Sequence, residues 1–491
     1  MEAGLACPEK TALCIIGKDD TEEWSYSDLR AAILGTATGF LDCGARPGSK
    51  ILMRLGNTVD FPIAYLAALA VGCVPVPTSA ALTEVEVDDI VRTLRPELTL
   101  HDPLVPCPDM AESVPLDVLR QFRQLPAADI HIGSADRLGY IVYTSGTSGV
   151  PRAVGHAHRA IWARRMMFDG WYGLTSRDRV MHAGAFNWTY TLGTGLMDPW
   201  TIGATALIPT AGTRPVALPE LMARHGATIF AAAPGVFRQM LANVEHLELT
   251  ELRHGLSAGE KLPAATAQKW REASQTPVFE AYGMSECSTF ISHGPNKQGP
   301  QDTLGCPQQG RKVALLKDGA PVERGKEGTI AVHHSDPGLM IEYIGAPEET
   351  ESRFCNGWFL TGDQGSMDAD GFITSLGRND DMMNAGGFRV SPIEVENALV
   401  GLPGVVSVAV TEVTVKDGAS VIAAFYTGPV PLDETTWHRY VSGKLARYKQ
   451  PRMFVHLDTL PMGANGKILR RALREQYESH HDRRNQTRHY I

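Results

Sequence analysis

Residues 140–152 read YIVYTSGTSGVPR, an apolar run that leads directly into a loop of glycines and hydroxyl side chains. The run Tyr140–Tyr143 is typical of a buried strand in an α/β protein. Backbone N–H groups in a loop of this composition can surround phosphate oxygens. No Gly-Lys-Ser or Gly-Lys-Thr closes the loop, so it is not a Walker A motif. Taken alone, the stretch fits either a phosphate site or an ordinary surface turn.

The flanking sequence alternates strands with helices. The run Thr228–Ala232 is a continuous apolar strand, whereas Arg159–Met167 and Pro263–Ala273 have helical patterns. Continuous apolar strands are usually covered by helices on both faces. We therefore predict an α/β fold whose large N-terminal domain has mixed or parallel sheets covered by helices.

The pattern changes after about residue 380, which predicts a second, small α+β domain. Residues 391–394, Ser-Pro-Ile-Glu, read as a capping box with proline in the first helical position, and Gly401 ends that helix. Two strands (Val405–Val413 and Val421–Tyr426), a helix near Thr436–Ala446, a strand at Met453–Leu457 and a terminal helix are expected to follow. A chain of 491 residues exceeds what one core usually supports, which agrees with two domains.

Composition narrows the functional class. Lys and Arg number 46 against 55 Asp and Glu, so the formal charge is −9, which argues against a nucleic-acid partner. The eight cysteines form no C-x-x-C pair and are expected to be small buried hydrophobes in a reducing compartment. No sustained apolar region opens the chain, so no signal peptide is expected and we predict a cytoplasmic protein.

The stretch Phe61–Thr83 carries no charge over a length that could span a membrane. Pro62, Pro75 and Pro77 interrupt it, with Gly72 between them. These breakers predict a buried helix followed by a short strand rather than a transmembrane segment.

A series of short motifs identifies the family. They read WSYSDL at 24–29, SAGEKLP at 257–263, YGMSE at 282–286, TGD at 361–363, GRNDD at 377–381, GGFR at 386–389 and NGKI at 465–468. Together with the 143–152 loop they resemble the adenylate-forming superfamily of acyl-CoA synthetases, luciferases and peptide-synthetase adenylation domains. The resemblance is closest to small- or medium-chain and aryl acyl-CoA synthetases. It covers nearly the whole chain, and although each motif alone is weak, the ordered series is specific.

The resemblance implies an AMP-forming acid–thiol ligase, which converts a carboxylic acid, ATP and coenzyme A into acyl-CoA, AMP and pyrophosphate. A free carboxylate is a poor acyl donor, so attaching AMP supplies a leaving group. Charge that develops at the phosphate calls for fixed donors and Mg²⁺, which takes only one or two protein carboxylates. An adenylation enzyme that passes the acyl group to a carrier-protein thiol is the alternative. A catalytically silent nucleotide-binding regulator ranks last because Lys467 and Glu286 are present.

The resemblance also assigns catalytic and nucleotide-binding residues. Lys467, Glu286 and Ser285 are implied to be catalytic, with Glu286 as the magnesium ligand and Lys467 reaching the carboxylate and α-phosphate. Asp363, expected between a strand (Trp358–Leu360) and a hairpin turn, is implied to bind the ribose with Arg378. The remaining ATP and AMP contacts implied are Thr144, Ser145, Gly146, Thr147, Ser148, Gly149, Gly259, Glu260, Lys261, Tyr282 and Gly283.

The acid is expected to bind in a mostly apolar pocket. By resemblance its residues are Phe186, Asn187, Trp188, Ala233, Ser257, Ala258, Gly283 and Met284. Phe186 and Trp188 either form a wall or pack in the core. Asn187 is near the position where amino-acid-activating relatives have an aspartate, so its neutrality favours a small or medium aliphatic or aromatic acid.

The resemblance further implies a rotating C-terminal domain. Residues 1–378 would form the N-terminal ATP- and acyl-binding domain, 379–381 the hinge and 382–491 the swinging domain. Asp380 matches the hinge, and Gly386, Gly387 and Phe388 match the loop on the coenzyme A side. The sequence leaves the oligomeric state open, a homodimer included.

Two positions depart from the family pattern. Arg152 stands where a lysine commonly closes the first motif, and Glu342 stands where glycine usually precedes Tyr343. Arginine and lysine differ in how they contact phosphate, so the role of Arg152 is left open.

Overall fold

The computed structural model describes residues 5–110, 112–144, 152–242, 244–300, 302–378, 381–385, 388–415, 420–442, 444–462 and 468–486. The chain divides into two compact units. Unit 1 comprises Met1–Lys312 and His333–Gly357, and unit 2 comprises Val313–Val332 and Trp358–Ile491. Unit 2 is larger than the predicted C-terminal domain, residues 382–491, because it also includes residues 313–332 and 358–381. The predicted hinge residue Asp380 lies outside the described residues, so the rotating domain 382–491 stays a prediction.

The strands of the described residues are numbered in chain order. They are β1 (Thr11–Ile16), β2 (Thr21–Ser25), β3 (Lys50–Arg54), β4 (Val74–Pro77), β5 (Leu98–His101), β6 (Ser113–Pro115), β7 (Leu138–Thr144), β8 (Arg152–Ala157), β9 (Arg179–His182), β10 (Thr205–Pro209), β11 (Ile229–Ala232), β12 (His254–Ala258), β13 (Val278–Met284), β14 (Ser288–Ser292), β15 (Cys306–Pro307), β16 (Val313–Lys317), β17 (Ala320–Pro321), β18 (Glu327–His333), β19 (Glu342–Tyr343), β20 (Phe354–Cys355), β21 (Trp358–Met367), β22 (Ile373–Arg378), β23 (Met383–Ala385), β24 (Phe388–Val390), β25 (Ser407–Thr414), β26 (Ser420–Thr427) and β27 (Met453–His456).

The α-helices of the described residues are numbered in the same way. They are α1 (Tyr26–Asp42), α2 (Asp60–Ala70), α3 (Glu84–Leu94), α4 (Leu116–Phe122), α5 (Arg159–Ala163), α6 (Asp198–Ile202), α7 (Leu218–Arg224), α8 (Pro234–Met240), α9 (Ala264–Ser274), α10 (Pro347–Ser352), α11 (Pro392–Leu399), α12 (Glu434–Ser442) and α13 (Arg470–Gln486). Short 3₁₀ turns occur at Arg164–Met167, Pro215–Ala217 and Arg447–Lys449, and π-helical turns occur at Phe168–Tyr172 and Thr191–Met197.

A mixed sheet forms the centre of unit 1. Among the described residues its nine strands run in the order β15-β14-β13-β12-β11-β9-β10-β1-β2. The strands from β13 to β1 are parallel, and antiparallel partners close both edges. On one face, Phe230 of β11 packs against Phe237 and Trp270, and the other face packs on Trp171 and Tyr190. Because both faces are covered, the strands can be apolar throughout, as the sequence predicted.

The apolar stretch after residue 60 folds as predicted. It forms the buried helix α2 and the short strand β4, which belongs to a parallel sheet in the order β4-β3-β5-β6. Across the residues that the structure describes, no helix is both long and apolar enough to cross a membrane.

The hairpin of β7 and β8 presents the first motif. The strands are antiparallel, and Thr144 pairs with Arg152 at the end where the chain passes from one strand to the other. The loop between them, residues 145–151, lies outside the described residues. The helix predicted over Arg159–Met167 is α-helical only to Ala163 and continues as 3₁₀ and π turns. Arg164, at the point of change, is buried and bonded to Asp198.

Unit 2 contains two sheets of three or more strands among its described residues. β16, β18, β21 and β22 are neighbours in one sheet, and β25, β26 and β27 form the other. Helix α11 begins as predicted, with Ser391 Oγ accepting from Glu394 N at 3.2 Å and Pro392 in the first turn. The capping box is not reciprocal, because the Glu394 carboxylate accepts from Lys449 Nζ at 2.6 Å instead.

Candidate active site

Glu286 lies just beyond the end of β13, in the tight turn that leads into β14. Its Oε1 accepts a hydrogen bond of 2.7 Å from the hydroxyl of buried Tyr343, which fixes the carboxylate. Its backbone carbonyl accepts from Met340 N at 2.7 Å. Burial, then the charge of Glu286, raise the pKa of Tyr343 well above its usual value, so the phenol stays a donor.

Tyr343 was not recognised as a site residue from the sequence. The departure at Glu342 marked its position, but only the structure shows that β19 runs beside β8, with Tyr343 opposite Val154. This pairing brings the phenol to a carboxylate that is remote in sequence.

The chemistry of Glu286 fits a magnesium ion bound mainly by substrate phosphates. An ionised carboxylate has several acceptor positions, so the bond from Tyr343 leaves capacity for a cation. In the part of the chain that the structure describes, no group of three or more His, Cys, Asp or Glu side chains could hold a metal ion. Mg²⁺ commonly needs only one or two carboxylates when nucleotide oxygens and water complete its octahedron.

Ser285 is held in place through its backbone. Its carbonyl oxygen lies 2.7 Å from Nε2 of His156, a buried residue of β8. Because a carbonyl oxygen can only accept, Nε2 carries the proton and donates it. Burial lowers the pKa of His156 to about 4, so the imidazole is neutral at pH 7.

The predicted adenine-side residues follow β12 and end β13. Gly259 has φ of +100°, and a Cβ built there would lie 2.9 Å from the Trp188 ring, so both backbone and packing require glycine. Glu260 and Lys261 are half-buried, and Tyr282 packs edge-on against Phe290 with ring centroids 5.3 Å apart.

Glu280, one strand position before Ala281, is a titratable group that the sequence did not indicate. Its Oε2 accepts from Leu262 N at 3.2 Å, which ties β13 to the loop after Lys261. Burial raises the pKa of Glu280 to about 7, and the Leu262 amide and Lys261 only partly oppose this shift. A carboxyl that titrates near neutral pH therefore lies beside the predicted adenine residues.

The predicted acyl-pocket residues differ in exposure. Phe186 is 1% exposed and stacks on Phe61 at 6.1 Å, whereas Trp188 is half-buried and packs edge-on against Tyr190 at 5.1 Å. The other members lie at strand ends or in the adjoining turns: Asn187, Ala233, Ser257, Ala258, Gly283 and Met284. Trp188 beside Gly259 therefore has the geometry of a wall, and Phe186 has that of a core residue.

Asp363 and Arg378 are partners in unit 2. They face each other across β21 and β22, with Oδ1 and Nη1 3.9 Å apart, and both are partly exposed. Asp363 lies inside β21 rather than after its end as predicted, because the strand continues to Met367. Gly362, at φ +85°, leaves space for the Arg378 guanidinium, 2.9 Å from where a Cβ would stand.

Arg152 pairs with Glu349 in unit 1, and each side chain is 28% exposed. Several other predicted residues lie outside the described residues, so their roles stay predictions: Ser145, Gly146, Thr147, Ser148, Gly149, Asp380, Gly386, Gly387 and Lys467. Thr144 and Phe388 are described only as the last residue of β7 and the first of β24.

Comparisons with known proteins relate this chain to a family of known enzymes. The profile of the AMP-binding enzyme family matches residues 2–344, and that of the AMP-binding enzyme C-terminal domain matches residues 394–467. A 3-hydroxybenzoate–CoA/4-hydroxybenzoate–CoA ligase of Thauera aromatica is 28% identical over 96% of this chain and 94% of its own.

Two solved structures extend the comparison. ATP-bound MatB from Rhodopseudomonas palustris superposes with a TM-score of 0.86 at 26% identity, covering 96% of this chain and 97% of that one. The anthranilate CoA ligase AuaEII, in complex with anthranoyl-AMP, gives a TM-score of 0.86 at 25% identity and covers 96% of each chain. The predicted superfamily and the predicted α/β fold are thereby confirmed.

Proposed function

This chain belongs to the family of AMP-binding enzymes, and we propose that it is an ATP-dependent acyl-CoA synthetase for small aromatic carboxylic acids. The reaction class, an AMP-forming CoA ligase, agrees with the family and with the relatives described above. The observation that carries the proposal is the Glu286 carboxylate, held by Tyr343 directly after Ser285 in the YGMSE motif.

The first half-reaction joins the acid to the α-phosphate of ATP and releases pyrophosphate. Glu286 would hold the Mg²⁺ of the Mg·ATP substrate, which offsets charge on the phosphate oxygens. Its bond from Tyr343 keeps the carboxylate oriented before the nucleotide arrives. Asp363 would accept hydrogen bonds from ribose hydroxyls, the role suited to a carboxylate in a nucleotide site.

The second half-reaction transfers the acyl group to coenzyme A. The thiol loses its proton to solvent, its sulfur forms the new bond to the acyl carbon, and AMP leaves with the electron pair of the broken acyl–oxygen bond. By resemblance Lys467 serves adenylation and Gly387 lines the thiol's approach, so rotation of residues 382–491 would exchange them. Transfer to a carrier-protein thiol is the alternative ending.

The substrate class rests on two supports. Trp188 presents a half-buried aromatic face beside Gly259, a suitable wall for a flat ring. The relatives described above include a ligase for hydroxybenzoates and one for anthranilate, both aromatic acids.

The experiment is a panel of carboxylic acids assayed for AMP release with and without coenzyme A. We expect benzoate-type acids to exceed straight-chain acids of equal carbon number, with acyl-CoA as product. Acyl-adenylate that forms but never reaches free coenzyme A would favour the carrier-protein alternative. An absence of AMP release with every aromatic acid would contradict the proposed substrate class.

Glu286→Gln tests the proposed metal role. The amide keeps the size of the side chain and can still accept from Tyr343, but it loses the negative charge, so the Mg²⁺ concentration for half-maximal rate should rise about tenfold or more. Glu348→Gln, at an exposed position on α10, is the matched control. A magnesium dependence equal to that of the wild type would exclude Glu286 as the ligand.

A further inference from the structure

A small cavity in unit 1 adjoins the predicted acyl-pocket segments. It is bordered by Tyr65 of α2, His156 of β8, Arg164, Thr189 and Ser285, among others. Thr189 follows the wall residue Trp188, and Ser285 follows Met284, so the cavity is flanked by two stretches assigned to the acid. The space open to the centre of a water-sized sphere is about 20 Å³, enough for one water-sized group.

His156 offers this cavity an acceptor. The side chain is 1% exposed and stacks on Tyr140, with ring centroids 4.7 Å apart. Because Nε2–H donates to the Ser285 carbonyl, the neutral ring keeps its lone pair on Nδ1. Within the described residues, Nδ1 is buried and has no hydrogen-bond partner. Nδ1 therefore lacks a group that would donate a hydrogen bond to it.

Tyr65 offers a hydroxyl. Its side chain is fully buried, and its oxygen likewise has no hydrogen-bond partner among the residues that the structure describes. Leaving a buried polar group unpaired is unfavourable, so two such groups at one cavity indicate a group that both donates and accepts.

The ion pair of Arg164 determines which charge a group bound in the cavity can carry. Its guanidinium donates twice to Asp198, at 2.8 and 2.5 Å, and also bonds Tyr172 and Ser288. Asp198 is as deeply buried as Arg164, so the positive charge is already balanced. The cavity therefore suits a neutral group rather than a carboxylate, which would bring a second negative charge and no donor for His156.

We propose that this cavity binds a hydroxyl or amino substituent on the ring of the acid, with His156 Nδ1 accepting its proton and Tyr65 donating to its oxygen or nitrogen. The inference rests on the proposed function, since it names the kind of aromatic acid that the site selects. A methyl group or a hydrogen at the same ring position would leave both protein groups unpaired. A site built to bond a hydroxyl rejects the analogue that lacks it far more strongly than an apolar pocket does.

The test compares kcat/KM for benzoate, its three hydroxy isomers, its three amino isomers and the corresponding methyl isomers in the wild-type enzyme. One hydroxy or amino isomer should exceed benzoate and its methyl counterpart by about 10²-fold or more. Tyr65→Phe, which removes only the oxygen, should reduce the ratio of kcat/KM for the preferred isomer to that for benzoate by about tenfold or more. Tyr26→Phe is the control, since its buried hydroxyl bonds Ala204 O elsewhere.

Two results would overturn the inference and are distinguishable. If the wild type activates aromatic acids without regard to ring substituents, the cavity holds a buried water only, and the proposed function still stands. If no aromatic acid is activated, the proposed function fails and the inference fails with it. A preference that is unchanged in folded Tyr65→Phe would exclude Tyr65 as the donor and overturn the stated geometry.

Discussion

Two arginine–aspartate pairs of this chain differ in burial and in the distance between their charged atoms. Arg311 and Asp336, in unit 1, are 1% and 0% exposed and lie 3.0 Å apart. Arg378 and Asp363, in unit 2, are 26% and 20% exposed and 3.9 Å apart. The same two residue types therefore form in one place a buried pair, here called the dry clamp, and in the other a partly exposed pair, here called the loose pair.

The hydrogen bonds explain the difference. Arg311 also donates to the carbonyls of Thr289 and Cys287, and Asp336 also accepts from the backbone of Lys312 and Gly338. All of these partners are groups of the protein, so the pair links segments near the turn that contains Glu286. The Asp363–Arg378 pair is instead partly exposed, so its side chains are accessible to solvent and to a ligand. Burial thus distinguishes an ion pair that the protein encloses from one that a ligand can reach.

The largest effect is expected from breaking the dry clamp. Asp336→Ala leaves the Arg311 guanidinium buried without its counter-charge, so the free energy of unfolding should fall by about 3–5 kcal/mol. Urea denaturation measures the change. Asp88→Ala, in the exposed pair with Arg92, is the matched control and should cost less than about 1 kcal/mol. A loss below 1 kcal/mol at Asp336 would show that the clamp does not stabilise the fold.

The loose pair should respond in activity rather than in stability. Asp363→Ala should reduce kcat/KM for ATP about 10²-fold, or about 2.7 kcal/mol, because the proposed ribose contact is lost. The free energy of unfolding should change by less than about 1 kcal/mol, as for other solvent-accessible pairs. An unaltered kcat/KM for ATP would place Asp363 outside the nucleotide site.

The two pairs also show what the sequence could and could not predict. Asp363 and Glu286 could be assigned as candidate site residues because each lies in a short motif whose residues are contiguous. Arg311, Asp336 and Tyr343 carry no such local signal, since their partners are set by strand pairing and by turns far along the chain.

The predictions of one helix and of one helix cap were partly wrong for the same reason. The sequence over Arg159–Met167 has a helical pattern, yet the α-helix ends at Ala163 and changes to 3₁₀ and π turns where Arg164 bonds Asp198. Glu394 has the spacing of a reciprocal cap, but Lys449, from another part of the fold, takes its carboxylate. Tertiary contacts outweighed local preference at both places, while continuous apolar strands such as β11 were predicted well.

Glu280 allows an intermediate test, since its side chain is half-buried and accepts a hydrogen bond from Leu262 N. Its pKa is raised from 4.5 to about 7, so the native state binds a proton that the unfolded chain has lost between these values. The unfolding free energy contributed by this group should therefore fall as the pH rises from 4.5 to 7 and level off above.

Glu280→Gln removes that dependence while keeping an oxygen for the Leu262 amide. Relative to the wild type, the variant should gain about 1–3 kcal/mol in unfolding free energy between pH 5 and pH 8. Urea denaturation at the two pH values measures it, and Glu348→Gln at the surface controls for a lost charge. A difference between the two proteins that does not vary with pH would show that Glu280 is already ionised at pH 5.

The smallest effect is expected at Arg152 and Glu349, the most exposed of the three pairs, with each side chain 28% exposed. A double-mutant cycle with Arg152→Gln and Glu349→Gln should give a coupling energy of about 0.2–1 kcal/mol, weakened at high salt because water and ions reach the pair. Arg152→Lys, which restores the lysine common at this position in the family, should then change kcat/KM for ATP by less than about threefold, because the charge is kept and the Glu349 contact contributes little. Urea denaturation of the four proteins at two ionic strengths and ATP kinetics of Arg152→Lys measure both quantities.

A salt-independent coupling above about 2 kcal/mol would place this pair with Arg311 and Asp336 as a clamp. A large loss of ATP activity with little coupling would place it with Asp363 and Arg378 as a ligand-binding pair.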